Sequence, residues 1–391
     1  MHILILAPFC TLPGEPGFNR FLYFAIQLSA NHKVMLLTSS FQHAKKQQRE
    51  KYISSNIPEN LTVKLINEPG YKKNASIARA WSHHVFLNNF KKWFLDNAEV
   101  KKFDLIYSAY PLISTNIFLG ENKNKFNYKL AIDIQDIWPE SFSSVLSFLK
   151  SIPEQIIPFS RKANKAYNYA DKIVAVSKTY LNRAKKINKR AEGMVVYIGS
   201  DFELIKKEQA KLLNSNKIHY LYMGTLSHSY DIKTMIDAFN EVGKNSDTYH
   251  LHIAGGGPNE GKLQQNIGSN ITFHGFLEYQ ELISLAKGVD FFINPIKKYA
   301  SQSVTNKISD YISLNKPIIS SQECIEVKEL INSLGGHHYI AGNKNSLINA
   351  IKIAAQSTKK NTLSLDGLDK MEMFNRKNTY LKLEDFITEK Q

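Results

Sequence analysis

Short apolar runs recur along the chain, and polar-apolar stretches of helical period lie between them. In the first half the runs are HILILAP (2–8), KVMLLTS (33–39), LTVKLI (61–66), DLIYSAY (104–110), KLAIDIQD (129–136), KIVAVS (172–177) and GMVVYIG (193–199). In the second half they are IHYLYMG (218–224), YHLHIAGGG (249–257), ITFHG (271–275), VDFFINP (289–295) and KPIISS (316–321). Runs this dense in Val, Ile and Leu predict strands buried on both faces, hence parallel sheets covered by helices. Residues 231–243 and 278–287 predict two of those helices. The series pauses over the polar stretch DFELIKKEQAKLLNSNK (201–217), which places a domain boundary there. The pattern predicts two doubly wound α/β domains, 1–200 and 201–370. Such sheets bind ligands at the carboxyl ends of their strands, so the cleft between the domains is the expected site.

Composition narrows this picture. A chain of 391 residues is too long for one core and suits two. Cys10 and Cys324 follow no metal or redox spacing, which fits a reducing compartment without a disulfide framework. The opening MHILILAPF reads as a buried strand and not as a signal peptide, and no apolar run reaches the ~18 residues of a membrane span. A cytoplasmic protein, peripheral at most, is expected. The net charge of +15 is uneven: residues 1–200 hold 28 basic against 14 acidic residues, and 201–391 hold 22 against 21. The first half therefore suits an anionic partner, although lysine as the default surface residue explains the charge equally well. Nucleic acid is not expected, because the basic residues follow no helix-turn-helix or RNP pattern. In FKKWFLDNAEVKKF (90–103), Phe90, Trp93, Phe94 and Phe103 either enter a lipid interface or pack into the first domain's core.

Candidate chemistry lies mainly in the second half. Gly224 ends a strand, where the lack of a Cβ lets the backbone approach a phosphate. Gly255-Gly256-Gly257-Pro258 forms a second glycine-rich exit that is neither a Walker loop nor a clean dinucleotide fingerprint. In SVTNKISDYISLNKPII (303–319), Lys307 near a helix start is suited to a diphosphate, and Asp310 one turn on is suited to ribose hydroxyls. The alternative is a solvated i, i+3 ion pair worth only ~0.3–0.5 kcal/mol. His83-His84, His250, His252 and His337-His338 show no third ligand at a recognisable spacing, so no metal is expected.

Taken together, MGTL, HIAGGGP, ITFHGFLEYQELISLAKGVDFFINP and NKISDYISLNKPII resemble the donor-binding half of family-4 retaining glycosyltransferases. That family has the GT-B fold, two Rossmann-like domains facing a central cleft. APFCTLPGEPGFNRFLYFAIQLSANHKVMLLTS is similar to the family's opening strand, glycine loop and helix. IDIQDIWPES resembles the Asp-x-Trp-Pro segment of a bacterial subgroup that builds surface polysaccharide, capsule or O-antigen. The resemblance implies donor contacts from Gly17, Gly224, Thr225, Gly255, Gly256, His274, Thr305, Asn306, Lys307 and Asp310. It implies catalytic roles for Asp136 and Lys307, and acceptor or phosphate contacts from Arg20 and Trp138. It also implies that 371–391 forms a C-terminal helix returning to the first domain.

The implied activity is sugar transfer, hexosyl or N-acetylaminosugar, from a nucleoside-diphosphate sugar with retention of configuration. A UDP-sugar is favoured over a GDP-sugar, no other cofactor is implied, and the expected acceptor is a polyprenyl-pyrophosphate-linked glycan at an anionic membrane. Two departures from the family pattern stand out: Gln302 replaces the first glutamate of its Glu-x7-Glu motif, and the Arg and Lys usual after the strand ending at Gly224 are missing. They keep two other readings open, a nucleotide-sugar epimerase or hydrolase and a non-catalytic scaffold.

Overall fold

The computed structural model describes residues 1–15, 17–49, 57–74, 76–139, 159–257, 260–265, 267–298, 300, 303–357 and 365–389. Gln302, Pro258 and the Glu140-Ser141 end of the Asp-x-Trp-Pro segment lie outside them. The chain divides into two compact units, Met1–Val196 with Tyr380–Gln391, and Tyr197–Thr379. The polar stretch 201–217 falls within the second unit.

The first unit contains β1 (His2–Leu6), β2 (Lys33–Ser39), the two-residue pair β3 (Phe41–Gln42) and β4 (Gln47–Gln48), β5 (Leu61–Ile66), β6 (Leu105–Tyr110), β7 (Lys129–Ile134), β8 (Lys172–Ala175) and β9 (Glu192–Val195). Seven of these strands form a parallel sheet in the order β5-β2-β1-β6-β7-β8-β9. Its helices are α1 (Arg20–Leu28), α2 (Ile77–Lys101), α3 (Ile113–Phe126), α4 (Ser160–Tyr169) and α5 (Lys178–Lys185). Ile3, Leu4, Ile5, Leu36, Leu130 and Ile132 are fully buried, as double coverage of a parallel sheet requires.

Two features of this unit bear on the expectations. Arg20, expected at a phosphate, is turned into the core: its Nε lies 3.0 Å from Asp133 Oδ2 and its guanidinium donates to the Val196 carbonyl. Tyr107 donates to the same Asp133 oxygen at 2.6 Å. Burial raises the Asp133 carboxyl above its usual range, opposed by Arg20 and Tyr107. The side chain is 4% exposed and paired with a carboxylate, and its Nη2 has no hydrogen-bond partner among the described residues. The aromatic residues of 90–103 likewise face inward. Phe90 and Phe94 are fully buried against Phe118, Phe103 is buried and Trp93 is half-buried. Lipid insertion through these phenylalanines is thereby excluded, because their surface is already removed from water.

The second unit contains α6 (Phe202–Lys207), β10 (Ile218–Met223), α7 (Ile232–Gly243), β11 (Tyr249–Ala254), α8 (Glu260–Leu263), β12 (Ile271–Gly275), α9 (Tyr279–Gly288), β13 (Phe291–Asn294), α10 (Asn306–Ser313), β14 (Ile318–Ser320), α11 (Ile325–Ser333), β15 (His337–His338), α12 (Lys344–Ser357) and α13 (Leu365–Glu372). Among the described residues its sheet has six parallel strands, in the order β12-β11-β10-β13-β14-β15. One face buries Tyr220, Leu251, Ile253, Phe291 and Ile319 against Met235, Phe239, Leu347 and Ile351 of α7 and α12. The strand order reverses between β10 and β13, and a doubly wound sheet opens a ligand crevice at the carboxyl ends of such a pair. α14 (Arg376–Thr388) closes the chain, and its Tyr380, Leu383 and Ile387 enter the core of the first unit with Phe24 and Leu28. No described helix is long and apolar enough to cross a membrane.

Candidate functional site

At the carboxyl end of β10 the chain turns at Gly224 with φ +129°, a conformation that side chains other than glycine's rarely adopt. A Cβ there would stand 2.8 Å from Lys307 Cε. The next strand, β11, leaves through Gly255 at φ +136°, where a Cβ would collide with the Gly224 carbonyl at 2.1 Å. Two strand exits thus pack backbone to backbone, with the Lys307 side chain beside them.

Lys307 arrives from α10. Thr305 caps that helix, its hydroxyl accepting from Ile308 N at 3.4 Å, and exposed Asn306 opens the first turn. The buried lysine places Nζ 4.0 Å from the centre of the Tyr222 ring and 3.6 Å from that of Tyr230. Nζ has no hydrogen-bond partner among the described residues. Burial pulls its pKa well below the usual lysine value. Two ring faces attract a cation but accept none of its three protons as an oxygen would. Among the described residues no hydrogen-bond acceptor reaches Nζ, and Lys307 lies in the first turn of α10, where backbone N–H groups lack intrahelical acceptors.

The solvated ion pair between Lys307 and Asp310 does not form. Asp310, half-buried, receives the Ser200 hydroxyl at 2.6 Å and the Tyr279 hydroxyl at 3.0 Å, both on Oδ1. Its Oδ2 accepts a hydrogen bond from no described residue. Burial raises the Asp310 carboxyl, opposed by Ser200, Tyr279 and the charge of Arg376.

The remaining candidates take these places. Thr225 is exposed, and its carbonyl accepts from the Tyr222 hydroxyl at 2.7 Å. The Gly256 carbonyl accepts from Leu226 N at 3.0 Å, joining the two loops. His274 is half-buried at the carboxyl end of β12. In the first unit, Gly17 is exposed at φ +90° and open to solvent on the side a Cβ would occupy. Asp136 stands half-buried two residues beyond β7, at the sheet's carboxyl edge. Trp138 lines a pocket of about 280 Å³ with His83, His84, Phe159 and Lys162. The structure therefore gathers Gly224, Gly255, Gly256, Thr305, Lys307 and Asp310 around one switch point, and places Asp136 and Trp138 at the carboxyl edge of the other sheet.

Sequence reading missed Tyr222, Tyr230, Ser200 and Tyr279. Only Tyr222 carried a signal, as a strand residue two before the glycine exit. Among the described residues no three His, Cys, Asp or Glu side chains are placed to hold a metal ion.

Residues 217–357 match the family model described as "Glycosyl transferases group 1". No curated protein matches the chain. Several solved structures share the fold along essentially the whole length. Sucrose-phosphate synthase from Thermosynechococcus elongatus is 16% identical, with 98% of each chain covered and a TM-score of 0.74. HepE from Anabaena in complex with UDP is 14% identical, covering 99% of this chain and 100% of its own, at a TM-score of 0.66. WaaG, a glycosyltransferase involved in lipopolysaccharide biosynthesis, is 11% identical over 100% of both chains at 0.65. The fold is the two-domain α/β fold of the GT-B glycosyltransferases, with parallel sheets.

Proposed function

We propose that this protein is a retaining glycosyltransferase that moves a sugar from a nucleoside-diphosphate sugar to a glycan acceptor in surface polysaccharide synthesis. The observation that carries the reading is the unpaired, buried Lys307 ammonium beside two glycine strand exits. A diphosphate supplies an anion for that ammonium, and Asp310 Oδ2 accepts from the ribose. The structural likeness to HepE, solved with UDP and also with UDP-glucose, supports a nucleotide-sugar donor and favours UDP.

The roles follow from the charge that develops. As the glycosidic bond to the donor breaks, negative charge grows on the departing phosphate and positive charge on the sugar. Lys307 and the first amides of α10 meet the former, and such preorganised groups contribute the largest catalytic term. Asp136 orients the acceptor hydroxyl or stabilises the sugar cation, and is assigned no nucleophilic role. The acceptor we propose is a polyprenyl-pyrophosphate-linked glycan at the inner membrane face, supported by the basic excess of residues 1–200. Trp138 and Lys162 offer it an aromatic face and a cation.

Thermal shift with UDP-, GDP- and CMP-sugars tests the donor, since a bound donor raises the melting temperature by mass action. Product analysis with and without acceptor then tests the reaction. Sugar released or epimerised without acceptor would replace transfer by the hydrolase or epimerase reading, and no binding at all would leave a scaffold. For Asp310, Asp310→Asn should weaken nucleoside-diphosphate binding by about 1.5–3 kcal/mol, the worth of a hydrogen bond to a charged group. Asp310→Glu, which keeps an acceptor-only carboxylate, should lose less. Calorimetry with 2′-deoxy and 3′-deoxy nucleotides checks the contact: equal affinity for these and the ribonucleotide removes Asp310 from the ribose.

A further inference from the structure

Three histidines form a hydrogen-bonded row across the sheet of the second unit. His219 Nε2 lies 3.0 Å from the Asn214 carbonyl oxygen, and His219 Nδ1 lies 3.0 Å from His252 Nε2. His252 Nδ1 lies 3.0 Å from His274 Nε2. The strand register explains the row. His219 pairs with His250 and Leu221 with His252, while His252 pairs with Thr272. Each successive ring is thus one same-face step nearer the carboxyl ends. The row begins near the amino end of β10 and finishes at the carboxyl edge.

Its proton arrangement follows from one atom. A backbone carbonyl only accepts, so His219 Nε2 carries the proton and His219 Nδ1 is bare. His252 Nε2 must then donate to it, which leaves His252 Nδ1 as an acceptor. His274 Nε2 donates in turn, and His274 Nδ1 is bare. Burial lowers the pKa of His252 to about 3 and lowers that of His274 as well, which favours the neutral rings that this pattern of donors and acceptors requires. A second hydrogen-bonded partner commonly sets which nitrogen of a histidine faces its ligand. Here that partner acts through two further imidazoles.

His274 stands at the proposed donor site. The Gly275 carbonyl accepts from Gly255 N at 2.7 Å, tying this strand end to the glycine exits beside Lys307. Four residues beyond Gly275, Tyr279 donates to Asp310. Between them Phe276 is 81% exposed, an open ring face at the carboxyl edge of the sheet. Aromatic faces of this kind stack nucleobases of any identity.

From this geometry we infer that the Asn214-His219-His252-His274 row fixes His274 as a hydrogen-bond acceptor and thereby selects a donor nucleobase with a ring N–H. The inference rests on the nucleotide-sugar reading of the site. Uracil offers N3–H and guanine N1–H to a bare Nδ1. Cytosine N3 and adenine N1 are acceptors and would meet it lone pair to lone pair. Phe276 supplies the stacking face, His274 reads the edge, and His219 and His252 are positioning residues.

Calorimetry on the full chain with UDP, GDP, CDP and ADP tests this. UDP or GDP should bind at least about tenfold tighter than both CDP and ADP. His274→Gln, whose amide can present either a donor or an acceptor, should bring the four within about threefold. His252→Leu should do the same with His274 still in place, which a simple contact role for His274 does not predict. Imidazole ¹⁵N chemical shifts of the unaltered protein read the row directly and depend on no variant. His274 should show a bare Nδ1 and a protonated Nε2. Equal affinity for all four nucleotides, with Lys307→Ala weakening each of them, would overturn the selection while leaving the donor site standing. A protonated His274 Nδ1 would overturn the relay. Failure of all four to bind would overturn the donor-site reading itself.

Discussion

Lys307→Met is expected to make the protein more stable and far less able to bind a nucleoside diphosphate. Both effects have one origin. The ammonium is buried with no oxygen acceptor among the described residues, so folding strips its water and returns the attraction of two tyrosine rings. An unsatisfied buried donor costs about 1–3 kcal/mol, and a cation–π contact returns about 0.5–2. Methionine fills the same channel without a charge. The net gain should be about 1 kcal/mol, or a rise of roughly 2–4 °C in the melting temperature of a domain this size. Binding should fall by about 1.5–3 kcal/mol, ten- to a hundredfold or somewhat more, because the lost contact is charge-assisted. A melting temperature that falls while diphosphate affinity holds would remove Lys307 from the site.

The same amine sets a pH dependence. Its pKa in the folded, unliganded protein lies well below the usual lysine value, mainly through burial. Between the folded and unfolded values the unfolded chain binds one more proton, so stability rises with pH across that window. That contribution is lost as pH falls through the folded value. Above that unliganded pKa, a bound diphosphate restores the charge and takes up a proton. Affinity should therefore fall as pH climbs through the unliganded pKa. Calorimetry in buffers of different ionisation enthalpy measures the uptake, and its absence at every pH would contradict this account.

Arg20→Met should cost about 3–5 kcal/mol, the usual penalty for removing one partner of a buried ion pair. Asp133 is fully buried, and its Oδ2 would keep only the Tyr107 hydroxyl. The first unit's melting temperature should fall by roughly 6–20 °C. The double variant Arg20→Met with Asp133→Leu should recover most of the loss, since neither charge is then stranded. Thermal denaturation of the single and double variants decides between core and ligand roles. A loss below about 1 kcal/mol in the single variant would return Arg20 to the ligand-binding candidates.

The strands of both sheets were legible in the sequence because coverage on two faces demands unbroken Val, Ile and Leu. HILILAP and IHYLYMG announce β1 and β10 for that reason. The pairs β3-β4 and β15 were not legible, because two residues hold no period and their pairing depends on the neighbouring strand. Gly224, Gly255, Lys307 and Asp310 stood out through order and spacing along the chain. The partners that define their environment did not. Ser200 lies 110 residues from Asp310 and Tyr279 31 residues from it, while Tyr222 and Tyr230 meet Lys307 across the sheet's switch point.

Residue type set what each group could do: a cation, an acceptor-only carboxylate, a glycine able to take a positive φ. Tertiary structure decided whether it was free to act. Arg20 and Lys307 are both basic residues at a helix start, at the first and second positions of α1 and α10. Asp133 neutralises Arg20 from a strand 113 positions later, whereas among the described residues Lys307 Nζ meets two ring faces and no hydrogen-bond partner. The histidine row shows the same division. The period-two placement of His250 and His252 was visible, yet a tautomer depends on which acceptor ends the row, and only folding brings the Asn214 carbonyl to His219.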